Sequence, residues 1–210
     1  MQFVLTSRKD PFVDKVFLKA MKEYNLFFGI NWQNEKPIIF IIKDRKSINI
    51  IYGKKTEPWI IGWVRGKDIY LLDRKNFEKE SIHKYSNREY TALIRHELIH
   101  AFFNAMKLKD TPKWLWEGTA TYLSGQNALK KIPYKLNRFL GYYHKSDSGV
   151  YAESGFAVET LIKQFGKVKF FKLIEATKLP KKGFYASFKK IYGFELNYKN
   201  INPIYKKEDK

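Results

Sequence analysis

Apolar residues recur at helical spacing from Phe12 through Val16, Phe17, Ala20, Met21 and Tyr24 to Phe28, marking one stripe of an amphipathic helix. Asp10-Pro11 places a capping side chain and a first-turn proline ahead of that stripe, and Gly29 marks its end. The period then shortens. PIIFII and INIIY, separated by the polar KDRKS, predict two strands within 37–52. WIIGWV (59–64) and DIYLLD (68–73), joined by Arg65-Gly66-Lys67, predict a hairpin. The first third therefore reads as a helix followed by a small sheet.

From about residue 86 the pattern is helical nearly to the end. Ser86-Asn87-Arg88-Glu89 is an S-x-x-E capping box in front of the run YTALIRHELIHAFFNAM. Thr111-Pro112, read as a cap plus a first-turn proline, opens a second helix that extends to about Gly125. Residues 126–150 are polar and broken by Pro133, Gly141 and Gly149, which predicts a connecting or lid-like segment. A third helix is expected over 152–165, stopping at Gly166, with shorter ones over 167–178 and 184–192. Sheet first and helices second is an α+β order. The 210 residues suit a single domain over 1–210, with a sheet-bearing lobe at about 1–106 and a helical lobe over 107–210.

Composition narrows the classes. Hydrophobic residues make up 44% and aromatic residues 17%, enough for a sizeable core, so an intrinsically disordered chain is excluded. The absence of cysteine excludes a disulfide framework, a thiolate metal site and a cysteine nucleophile. No run approaches the roughly 18 apolar residues of a membrane span. The opening MQFVLTSRKD lacks the pattern of an intact signal peptide, which leaves a cytoplasmic chain, or a secreted one whose leader has been removed. Against 21 acidic side chains stand 40 basic ones, a net charge of +19. The lysines are scattered, and only Lys181-Lys182, Lys189-Lys190 and Lys206-Lys207 are locally dense. Scattered lysines solvate a surface; nucleic acid is thus neither required nor excluded as a partner.

Within the capped helix lies His96-Glu97-Leu98-Ile99-His100, an H-E-x-x-H. Positions i and i+4 share a helix face, so both imidazoles leave one side, a turn apart, and can reach one zinc ion. Glu97 projects differently and suits the role of general base on water. Two of only four histidines are used here. Leu93, Ile94, Leu98, Ala101, Phe102 and Ala105 surround the triplet with apolar groups, and a buried helix has no structural need for three adjacent polar side chains. A zinc site that keeps a position open for water needs a third protein ligand. Glu117 is the choice: it stands between Trp116 and Gly118 on the second helix, seventeen residues after His100, whereas His83 and His144 fall on no helix. A glycine inside a helix costs about 1 kcal/mol against alanine, and the expected reason is close approach of the second helix to the first.

HELIH followed by WLWEGTATYL resembles the gluzincin zinc peptidases, in particular the peptidase MA-like group, whose H-E-x-x-H is followed by a W-L-x-E-G-x-A segment carrying the third ligand. The run from Tyr151 through Ser154 and Val158 to Phe165-Gly166 is similar to that group's Y-x-x-S-x-x-x-V helix, and Phe188 to Phe194 to its closing segment. The resemblance spans roughly 59–200. The chain departs from it in lacking a G-x-M-E-N run, in carrying Trp116 where the large aminopeptidases usually have Asn, and in carrying Thr121 where thermolysin-like members place an Asp.

The resemblance implies a zincin-like fold, one zinc ion per chain on His96, His100 and Glu117, and hydrolysis of a peptide or protein substrate with Glu97 as general base. It also implies a donor for the developing oxyanion, with Tyr151 as first choice and His144 as second, and an edge strand within 59–65 for the extended substrate. The basic surface would favour acidic substrates. Two other readings stand beside it: a nucleic-acid or anionic-polymer binding protein with a relic zinc site, and a latent peptidase blocked by its own 126–150 segment or C-terminal tail. Neither oligomeric state nor cleavage specificity follows from the sequence.

Overall fold

The computed structural model describes residues 10–32, 36–108, 111–145 and 147–205. The N-terminal residues read above for a leader and the Lys206-Lys207 pair lie outside the described residues. Contacts divide the chain into two compact units, Met1–Met106 and Lys107–Lys210. Together the elements are α+β, with one small sheet and a majority of helix.

The first unit opens with α1 (Pro11–Phe28), where the Asp10 carboxylate accepts from the Phe12 amide at 3.0 Å and Gly29 closes the helix at φ 66°. Three strands form the sheet: β1 (Ile39–Ile42), β2 (Gly62–Arg65) and β3 (Asp68–Leu72), in the order β1-β3-β2. β1 runs parallel to β3, and β2 antiparallel to it through the expected hairpin at Gly66. β2 is thus an edge strand, beginning at Gly62 rather than at Trp59. Across the sheet Phe40 stacks on Tyr70 and Tyr70 on Trp63, at 5.1 and 5.0 Å between ring centroids, while Ile69 and Leu71 point to the buried face. That face packs against α4 (Asn87–Ala105), which α1 covers from another side.

One expected strand is a helix. INIIY belongs to α2 (Arg45–Tyr52). The Asp44 carboxylate accepts from the Ser47 amide at 2.8 Å, and Gly53, at φ 88°, closes the other end. Two caps nine residues apart outweigh the weak β preference of three isoleucines, and Ile48 becomes the fully buried contact. A short α3 (Phe77–Glu80) was not foreseen.

The second unit holds α5 (Lys113–Leu123), three short 3-10 turns (Gln126–Leu129, Phe139–Gly141, Ser148–Ala152), α6 (Ser154–Ala176), α7 (Lys181–Tyr192) and α8 (Tyr198–Tyr205). Gly166, at φ 82° and ψ 161°, breaks α6 where two separate helices were expected, and α8 escaped the pattern reading.

The 126–150 segment is packed into the second unit. Leu136, Phe139 and Val150 are buried, and the Glu153 carboxylate accepts from the amides of Asn137, Arg138 and Phe139 at 2.8, 2.7 and 3.2 Å. The same segment caps α5. The Tyr143 and Tyr142 carbonyls accept from the Lys113 and Trp114 amides at 2.9 and 2.8 Å. Those bonds do the work expected of Thr111, whose hydroxyl donates instead to the Leu108 carbonyl at 2.8 Å. Among the described residues no helix is long and apolar enough to cross a membrane.

Candidate metal centre

Helix α4 carries the first part of the site. The Ser86 hydroxyl accepts from the Glu89 amide at 3.0 Å, the expected capping contact, and the helix continues without a break through the histidines. Tyr90 anchors its start: its hydroxyl donates to the Leu72 carbonyl at the end of β3, at 2.8 Å. Of the acidic, basic and imidazole side chains of α4, those that are buried are the three where chemistry is expected. His96, Glu97 and His100 are 4%, 6% and 7% exposed, in a helix whose other inner residues are apolar. The one-turn spacing does what it should. The Nε2 atoms of His96 and His100 face each other at 3.0 Å.

Glu97 turns toward the sheet. Its Oε1 and Cγ lie 3.1 and 3.2 Å from the position a β-carbon would take on Gly62, on the same face of β2 that meets Leu71. The Glu97 side chain is therefore packed against the edge strand.

Helix α5 carries Glu117, which is 8% exposed. Trp114, three residues before it, is fully buried against Phe139. The glycine that follows Glu117 lies against α6. A β-carbon on Gly118 would collide with the Ser154 carbonyl and lie 2.9 Å from a Val158 methyl, at the start of that helix. Thr121, where a carboxylate was expected by resemblance, is fully buried beside Gly155.

One ligand atom from each of His96, His100 and Glu117 lies within 4.8 Å of the others, the one such group of His, Asp or Glu among the described residues. Two imidazole nitrogens and a carboxylate oxygen are a zinc donor set, and three of them leave a position open. The residues fit the metal.

The two candidates for the oxyanion donor both lie in the second unit. His144 is exposed, with its ring against Tyr143 at 4.7 Å. Tyr151 is half-buried in the third 3-10 turn. His83, passed over as a ligand, bonds the Trp59 carbonyl through Nε2 at 3.0 Å.

Sequence reasoning missed two residues. Lys130 donates to the Tyr151 carbonyl at 2.9 Å and lies over the Tyr151 ring, 5.4 Å from its centroid. Burial pulls its ammonium down to about 8, against the opposing pull of the Glu117 carboxylate. One lysine among so many carries no signal of its own. Gly62 is the other. A glycine inside an apolar strand run does carry a signal, that of close backbone approach.

No family model, no curated protein and no solved structure matches the chain.

Proposed function

We propose that the protein is a zinc metallopeptidase of the gluzincin type with a zincin-like fold. The observation that carries this reading is the convergence of His96, His100 and Glu117, all buried, next to a buried Glu97 that is not among the three ligands.

Zinc, when bound, supplies a Lewis acid that acidifies water and polarises a carbonyl. The chain's own residues supply the rest. His96 and His100 would hold the metal from one helix face, and Glu117 would complete the donor set with a negative charge. The Glu97 carboxylate takes a proton from the attacking water and returns it to the leaving amine. Burial of all four groups excludes bulk water and strengthens their electrostatic interactions. Among the described residues β2 pairs with a strand on one side only, and its other edge suits an extended peptide, which would add a strand through main-chain hydrogen bonds.

The test is the Glu97→Gln variant. Both proteins should retain about one zinc ion per chain, measured by elemental analysis, because Glu97 is not a ligand. Turnover of a peptide library should fall by about 10²–10⁴-fold, the usual contribution of a general base. Undiminished turnover by the variant would end the reading.

A further inference from the structure

A carboxylate on a helix normally has several rotamers open to it, and a general base is useful only in one of them. In this protein the rotamer of Glu97 is matched to a missing side chain on the neighbouring strand. A β-carbon at position 62 would lie 3.0 Å from Leu71 Cδ2, 3.1 Å from Glu97 Oε1 and 3.2 Å from Glu97 Cγ. Each distance is shorter than ordinary van der Waals contact.

The backbone of Gly62 lies outside the positive-φ region, so any residue could adopt its conformation. What glycine supplies there is space, since a β-carbon would oblige a neighbouring side chain to shift. Position 62 pairs with Leu71 in the β2–β3 register, and Leu71 is fully buried. Of the two side chains an alanine would press on, Leu71 is locked in the core. The Glu97 carboxylate is the far end of a longer side chain, with one more rotatable bond than leucine.

We propose that Gly62 is a positioning residue: the absence of a side chain on the edge strand sets the direction of the Glu97 carboxylate. This rests on the peptidase reading and adds to it a second element, since the base is oriented by β2 as well as by its own helix. It also joins the two functions assigned to β2, because the strand that would pair with substrate is the strand that aims the base.

The decisive experiment compares crystal structures of the wild type and Gly62→Ala, together with a Gly62→Ala/Leu71→Val double variant. The valine removes the Cδ2 contact, so the double variant stays well packed even if the single one folds poorly. The expected result is a Glu97 carboxylate turned away from β2 in both, with strand register unchanged. A carboxylate left in place while Leu71 moves would overturn the proposal.

Kinetics supply a second readout. Gly62→Ala should lower kcat about tenfold or more, since misplacement by 1 Å can cost about 10²-fold, while KM and zinc content hold. In a Glu97→Asp background, where the shorter side chain has withdrawn from β2, the same substitution should cost little. Equal penalties in both backgrounds would point to a general loss of structure and overturn the assignment. If wild type and Glu97→Gln turn over alike, the peptidase reading fails, and the crystal comparison still decides whether Gly62 sets the Glu97 rotamer.

Discussion

Arg45 donates to Glu80 from both its main chain and its side chain. The Glu80 carboxylate accepts from the Arg45 amide at 3.0 Å, and the Glu80 carbonyl accepts from Arg45 Nε and Nη2 at 3.1 and 2.8 Å. The same guanidinium donates to the carbonyls of Pro58 and Ile60 at 3.1 and 2.7 Å and to the Thr56 hydroxyl at 3.1 Å. One side chain thus fastens the ends of α2 and α3 to the loop that delivers the chain into β2.

Arg45→Lys should undo much of this, because an ammonium has three donors and no planar fork to span several carbonyls. A loss of about 1–3 kcal/mol is expected from carbonyls left without partners. Urea denaturation measures it. Amide exchange should quicken in β2 first, and an unchanged midpoint with unchanged exchange would contradict the clasp.

Metal should stabilise the fold. A ligand at 1,000 times its dissociation constant adds about 4 kcal/mol to the state that binds it. Zinc should therefore raise the thermal midpoint of the wild type and a chelator should lower it again. His100→Ala should show no such response. His83→Ala should respond like the wild type, since His83 bonds the Trp59 carbonyl.

Gly118→Ala should destabilise by about 1–3 kcal/mol, the usual cost of overpacking, because its β-carbon meets the Ser154 backbone carbonyl. Gly141→Ala is the control. Nothing lies within 4 Å of a β-carbon there and its φ is not positive, so its effect should stay within about 0.5 kcal/mol. Equal effects at the two sites would show that α5 and α6 do not pack as closely as described.

Lys130 predicts a pH dependence. Its folded-state pKa is pulled by burial from 10.5 to about 8, so between those values the unfolded chain binds the extra proton. Stability contributed through this group therefore rises with pH from about 8 to 10.5, and the cost of burying the ammonium is fully present below 8. In the metal-free protein, Lys130→Met should gain most over the wild type near pH 7, and the difference in thermal midpoint should shrink as the pH approaches 10. A difference independent of pH would show that the ammonium is not held in a desolvated place.

Much of the secondary structure was legible because its signals are local. Asp10-Pro11 and Gly29 bound α1, Ser86 caps α4, and Gly166 and Gly193 interrupt the later helices where the pattern said they should. INIIY misled because its apolar residues suit a strand or one side of a short helix, and only Asp44 and Gly53 distinguish the two. Thr111 misled for a different reason. The α5 amides are satisfied by carbonyls about thirty residues downstream, and no local pattern encodes a partner so distant.

His96, Glu97 and His100 could be read from the chain alone, because a single helix turn fixes the spacing of two imidazoles before any packing occurs. What tertiary structure decided was everything that required a second element. It gave Gly118 its reason in α6, put Lys130 within electrostatic reach of Glu117, and set the edge of β2 against Glu97. The physical reason is one of range: helix geometry repeats every few residues, whereas the room left for a carboxylate depends on which backbone is packed opposite it.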